Sequence, residues 1–85
     1  MALFFFRGAI MKTIYDERYR SLVGALKQVR LKQKLSQLSL ASRMGVKHQW
    51  LSKIETYEAR LDVLHFFLLC NALKVDPARL LRDHL

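Results

Sequence analysis

Apolar residues recur at helical spacing through most of this chain. From Asp16 to about Lys32, Tyr19, Leu22, Leu26 and Val29 fall on one side of a helical repeat, with Asp16 and Glu17 at the end where a helix favours acids. The spacing predicts a first helix there, closed by Lys34 and Leu35. Ser36 is placed to cap a second helix over 37–44, with Leu40, Ala41 and Met44 inward, and Gly45 ends it because glycine accepts a left-handed backbone without steric cost. A third helix, about 47–56, turns Leu51 and Ile54 inward. After the loop TYEAR, Asp62 caps a fourth helix reaching about Leu73, and Asp76 with Pro77 starts a fifth. The expected fold is all-α, a five-helix domain over 13–85, preceded by an apolar extension over 1–12.

That extension, opening MALFFFRGAI, lacks the charged start and cleavage site of a secretory signal and is too short to span a bilayer. Met11 offers a second start site, which would make the first ten residues an artefact of start choice. If they are genuine, Phe4, Phe5 and Phe6 have the composition of a short strand that would pair with its copy in a second chain.

Composition narrows the picture. Eighty-five residues fit a single core, and 52% apolar residues with three Gly and one Pro suit a few helices joined by short turns. The lone Cys70 excludes an intrachain disulfide and reads as core packing. No Cys/His cluster has metal-ligand spacing, so no metal or cofactor is expected, and the compartment is expected to be cytoplasmic. No Ser/His/Asp, paired-carboxylate or phosphate-loop arrangement is present, so no catalysis is expected.

Charge changes the picture more. Of the fifteen basic residues, nine lie between Arg18 and Ile54, a stretch with no acidic residue. The remaining six share the rest of the chain with all seven acidic residues. Such a basic segment suits a face that meets a polyanion, although a solvated basic surface would have the same charge.

Spacing decides between them. In QLSLASRMGVKHQWLSKIE, Ala41, Gly45 and Leu51 are the fifth, ninth and fifteenth residues counted from Gln37. Those are the positions where two helices need a small residue at their crossing, a turn glycine, and an apolar anchor for the second helix. With Leu51 and Ile54 inward, the outer side of the third helix carries Lys47, His48, Gln49 and Lys53, all able to hydrogen-bond base edges or phosphates. Gln49 suits adenine, Lys53 suits guanine, and His48 donates or accepts according to its tautomer. Lys34 and Arg43 lie on the basic flank beside the motif, as candidate phosphate contacts.

Through LKQVRLKQKLSQLSLASRMGVKHQWLSKIE and then LLCNALKVDPARLL, the chain resembles the lambda-repressor-like (Xre/Cro-type) helix-turn-helix family over about residues 20–82. The resemblance implies five helices, the third in the major groove of double-stranded DNA and the second crossing above the backbone. It implies base reading by Lys47, His48, Gln49 and Lys53, contact with the backbone or an outer base by Gln37, backbone contact by Trp50 and Thr56, and an ion pair between Arg30 and Glu55 that positions the reading helix. Where the family has Asn-Gly after its glutamate, this chain has Thr56-Tyr57, so the following loop must bend without glycine.

The fourth helix carries two apolar stripes. Phe66, Leu69, Cys70 and Leu73 form one, and Leu64, Phe67 and Leu68 the other. A helix apolar on both sides predicts a second covering surface: the fifth helix with Leu80 and Leu81, the N-terminal segment, or another subunit. The resulting expectation is a homodimeric transcriptional regulator, a repressor or autoregulator of a palindromic operator, bacterial or phage-derived. No membrane contact or small-molecule ligand is expected. The rival reading is an antitoxin-like module whose main partner is a toxin protein.

Overall fold

Five α-helices follow a single 3-10 turn, Thr13–Tyr15, in the computed structural model, which describes residues 13–85. They are α1 (Glu17–Lys32), α2 (Gln37–Met44), α3 (His48–Glu55), α4 (Val63–Leu73) and α5 (Pro77–His84), with no strand among the described residues. The strand expected at Phe4, Phe5 and Phe6 lies outside the described residues. The third helix is one residue shorter at each end than its apolar pattern predicts, because Lys47 and Thr56 are its flanking caps.

Side-chain caps start four of the five helices. Asp16 accepts from the Arg18 amide at 2.8 Å, Ser36 from Ser39 at 3.0 Å, Asp62 from His65 at 2.7 Å and Asp76 from Ala78 at 3.0 Å. Each bond satisfies an amide that has no partner within its own helix, and losing such a cap costs about 1 kcal/mol. The Arg18 side chain, bonded to Asp16 as well, is the main reason that carboxyl is lowered to about 2. Only α3 begins without a side-chain cap.

Helices α1 to α4 all end by one device. The amide two or three residues beyond each helix reaches back five residues: Leu35 to the Arg30 carbonyl, Val46 to Ala41, Glu58 to Lys53 and Val75 to Cys70, at 3.1, 3.0, 2.9 and 3.0 Å. That bond requires a left-handed residue just before the donor. Gly45 fills this role at φ 72°, but Lys34, Tyr57 and Lys74 fill it at φ 59°, 63° and 61°. The sequence points to the glycine alone; the other three are held left-handed by packing around the turn. Leu35, Val46 and Val75 each pack against the core just beyond the turn, which offsets the steric cost of a left-handed lysine or anchors the glycine.

The core is one cluster. Leu22 and Leu26 of α1, Leu40 and Ala41 of α2, Leu51 of α3, and Phe66, Leu69, Cys70 and Leu73 of α4 are buried together. Burying each leucine contributes about 1.5–3 kcal/mol, so the two crossing helices are fixed chiefly through Leu40 and Leu51, each 1% exposed. Burial also raises the Cys70 thiol to about 11, so this cysteine is packed and unreactive. The second stripe of α4 divides. Leu68 is half-buried and Leu80 of α5 packs on the chain's own core, whereas Leu64 and Phe67 remain exposed, joined by Val63 and Leu81.

Candidate nucleic-acid interface

Helix α3 is fixed at both ends of its inner side. Leu51 and Ile54 are each 1% exposed, and Glu55 at its last turn is buried against Arg30 of α1. The Arg30 guanidinium grips that carboxylate with two bonds, Nε to Oε2 at 2.7 Å and the terminal nitrogen to Oε1 at 2.8 Å. A third bond, 2.7 Å to the Leu35 carbonyl, ties the same group to the end of α1. Two parallel N–H bonds constrain the partner's orientation as well as its distance. The pair therefore sets how α3 sits across α1.

Gln37, the first residue of α2, extends this cluster. Its amide nitrogen donates to Glu55 Oε1 at 2.8 Å, and its oxygen lies 3.0 Å from His48 Nε2 at the start of α3. Four side chains from three helices, Arg30, Glu55, Gln37 and His48, thus form one hydrogen-bonded chain leading from the interior to the surface. Sequence spacing does not show it, because Gln37 and Glu55 are 18 residues apart and meet only after the helices cross.

On the opposite side of α3, Lys47, His48, Gln49 and Lys53 are all exposed. Trp50 is half-buried, packed on the core with its ring 5.0 Å from that of His65 in α4, centroid to centroid. Thr56 is exposed, but its hydroxyl lies 3.0 Å from the Ser52 carbonyl and 2.6 Å from a Glu58 carboxylate oxygen. A phosphate approaching that hydroxyl would meet a carboxylate first, so the geometry disfavours Thr56 as a backbone contact.

The basic segment also divides by partner. Arg18 pairs with Asp16 and Arg30 with Glu55, while Arg20 donates to the Ile14 carbonyl and stacks on the rings of Tyr15 and Tyr57 at 5.4 and 4.5 Å. Lys27, Lys32, Lys34, Arg43, Lys47 and Lys53 make no ion pair among the described residues. These six cations lie on α1, α2, α3 and their flanking turns, where a polyanion could neutralise them.

The Tyr57 ring explains how the loop turns without glycine. Tyr57 is left-handed, its ring lies under the Arg20 guanidinium, and its hydroxyl reaches the Arg20 carbonyl at 3.4 Å. Gly24 lies beside that hydroxyl, where a Cβ would meet it at 3.6 Å in ordinary contact.

Two helices joined at a left-handed glycine, the second anchored by a buried ion pair and turned polar side outward beside unpaired cations, define a helix-turn-helix DNA-binding domain. Comparison with known proteins narrows the class. Residues 26–80 match the helix-turn-helix family model. A solved structure described as an XRE-family like protein from Pseudomonas syringae pv. tomato str. DC3000 is 36% identical, with a TM-score of 0.77, covering 88% of this chain and 92% of that one. No match was found among curated proteins. The chain belongs to the Xre/lambda-repressor-like helix-turn-helix family, a family of DNA-binding transcription regulators. None of its described helices is long and apolar enough to cross a membrane.

Proposed function

We propose that this chain is a repressor or autoregulator that binds a short palindromic operator as a homodimer, in the cytoplasm of a bacterium or as a phage product. The observation that carries this reading is the position of α3: its inner side is locked by Leu51, Ile54 and the Arg30–Glu55 pair, and its outer side presents Lys47, His48, Gln49 and Lys53 to solvent. In this reading those four read base edges in the major groove, since bases are told apart there by their donor and acceptor patterns. Lys34 and Arg43 neutralise phosphates. Gln37 has one amide hydrogen left for a phosphate after serving Glu55, and Trp50 has its indole N–H.

Dimerisation is proposed through the exposed apolar surface of α4 and α5. Val63, Leu64, Phe67 and Leu81 are 84%, 62%, 49% and 37% exposed. Two such domains placed about one helical turn apart, about 34 Å, would read two half-sites. Leu68 and Leu80, both half-buried, are proposed to complete this surface. Phe4, Phe5 and Phe6 are proposed to extend the interface.

Selection of bound fragments from random duplex DNA, combined with the mass of the complex, tests the proposal. The expected result is an inverted repeat bound by two chains. A single half-site bound by one chain would overturn the dimer. Failure to enrich any sequence, with a second protein tightly held at the apolar surface, would favour an antitoxin-like module instead.

A further inference from the structure

We propose that the Glu55–Gln37–His48 chain of hydrogen bonds fixes the neutral His48 ring as its Nε2–H tautomer, leaving Nδ1 as an acceptor that selects adenine or cytosine. The tautomer is set by this chain's own side chains. The base preference rests on the DNA-reading role proposed for His48 above.

The direction of each bond is set by the buried end. Glu55 is ion-paired with Arg30, its side chain is 5% exposed, and a carboxylate only accepts. The Gln37 group 2.8 Å from Oε1 must therefore be its NH2. With the carboxamide reversed, two oxygen acceptors would face each other at 2.8 Å, too close for a water to sit between them. Because the NH2 faces Glu55, the carbonyl oxygen of Gln37 faces His48, 3.0 Å from Nε2. A carbonyl accepts only, so Nε2 carries the proton. In neutral imidazole the other nitrogen is then unprotonated, and Nδ1 of the exposed His48 has no partner among the described residues.

An acceptor at this position discriminates. In the major groove guanine and thymine offer oxygen or N7 acceptors, while adenine and cytosine offer the N6 and N4 amino groups. Nδ1 can bond only the amino groups. Every base pair carries one such group, so the preference is for adenine or cytosine on the strand nearest the ring. Charge fixed in the interior is thereby expressed as a hydrogen-bonding polarity at the surface, through a glutamine whose side chain cannot be reversed.

Two measurements on the full chain test this independently. Long-range proton–nitrogen NMR without DNA, at about pH 8.5 where imidazole is ordinarily neutral, reads the tautomer directly. The wild type is expected to show the Nε2–H form, and Gln37→Met, which keeps the side-chain length but removes both bonds, a mixture of the two. A dominant Nδ1–H form in the wild type, or an unchanged tautomer in Gln37→Met, overturns the proposal whatever happens with DNA. In selection from random duplexes, the base pair whose preference disappears in His48→Ala locates the contact, and replacing its adenine with purine, or its cytosine with 2-pyrimidinone, which removes the exocyclic amino group, is expected to weaken wild-type binding by about tenfold and to leave His48→Ala unaffected. Wild-type binding that is unchanged by loss of the amino group overturns it. If no sequence is enriched while the wild type shows Nε2–H, the DNA-reading role fails and the tautomer assignment stands, so the two failures are distinguishable.

Discussion

The Arg30 guanidinium and the Glu55 carboxylate meet across α1 and α3 in a two-bond ion pair at 2.7 and 2.8 Å, with side chains only 8% and 5% exposed. Desolvating two charges offsets much of their attraction, so such a pair adds little to net stability, while removing one member leaves the other uncompensated. Arg30→Ala or Glu55→Ala should each cost about 3–5 kcal/mol in urea unfolding, most of the stability expected of a domain this size. Replacing both with methionine should restore most of the loss but weaken operator binding, since α3 then lacks its orienting bonds. A double variant that binds DNA as well as wild type would show that the pair does not position the helix.

The four left-handed helix ends make a second set of expectations. Lys74→Gly relieves the steric cost of φ 61° on an exposed residue and should stabilise the protein by about 0.5–1 kcal/mol, seen as a rise of a few degrees in Tm. Gly45→Ala should cost about 1–2 kcal/mol from backbone strain alone, because nothing lies within 4 Å of the added Cβ. Lys34→Gly should stabilise like Lys74→Gly, yet weaken binding to any DNA by removing a cation from the turn between α1 and α2.

Base reading and phosphate contact should separate by residue. Gln49→Ala and Lys53→Ala are expected to cost about 1–3 kcal/mol on the best operator and to relax preference at one base pair per half-site. Nonspecific binding should change little. Arg43→Ala should weaken specific and random DNA alike and lower the salt slope by about one per lost phosphate contact. For a dimer touching about 6–10 phosphates, affinity should fall by about 10³–10⁵ between 50 and 200 mM salt. Equal losses on operator and random DNA for Gln49→Ala would show that α3 does not read bases.

At the apolar surface, Phe67→Lys should give folded monomers in sedimentation, because the ring is 49% exposed and its replacement disturbs the domain's own core little. Removing residues 1–10 tells a helix-only interface, which would tolerate the deletion, from one that needs the N-terminal segment. A folded, dimeric Phe67→Lys would place the interface elsewhere.

Two surface carboxyls contribute to the acid dependence. Asp16 is lowered to about 2, chiefly by the Arg18 side chain, and Asp62 is lowered chiefly by the His65 amide. A carboxyl lowered by folding stabilises the protein above its unfolded value near 3.8, and that contribution disappears as pH falls through the folded value. Tm should therefore drop between about pH 4 and pH 2, and less so in Asp16→Asn and Asp62→Asn. Cys70 behaves in the opposite sense. Burial raises its thiol from 9.0 to about 11, so folding favours the protonated form and stability is lost as pH rises through that interval. Alkylation of Cys70 at about pH 8 should proceed only as fast as the protein unfolds.

Much of this molecule is legible along the chain because it depends on neighbours three or four residues apart. Helical periodicity, the acids at the start of the first helix, the caps at Ser36, Asp62 and Asp76, the turn at Gly45 and the acid-free basic segment are all local, and together they specify an all-α helix-turn-helix domain. The pairing of Arg30 with Glu55 is expected only through resemblance to a family, and its geometry and burial come from the fold. Only the tertiary structure decided that Lys34, Tyr57 and Lys74 turn left-handed, that Trp50 packs beside His65, and that Thr56 is occupied by Glu58. The same holds for Arg20 between two tyrosines and for the chain from Glu55 through Gln37 to His48. The reason is physical: periodicity assigns a side chain to the inner or outer side of its own helix, whereas its partner is chosen by how helices cross. That crossing is set by Leu40, Leu51 and the rest of the shared core, which exists only once all the helices are packed.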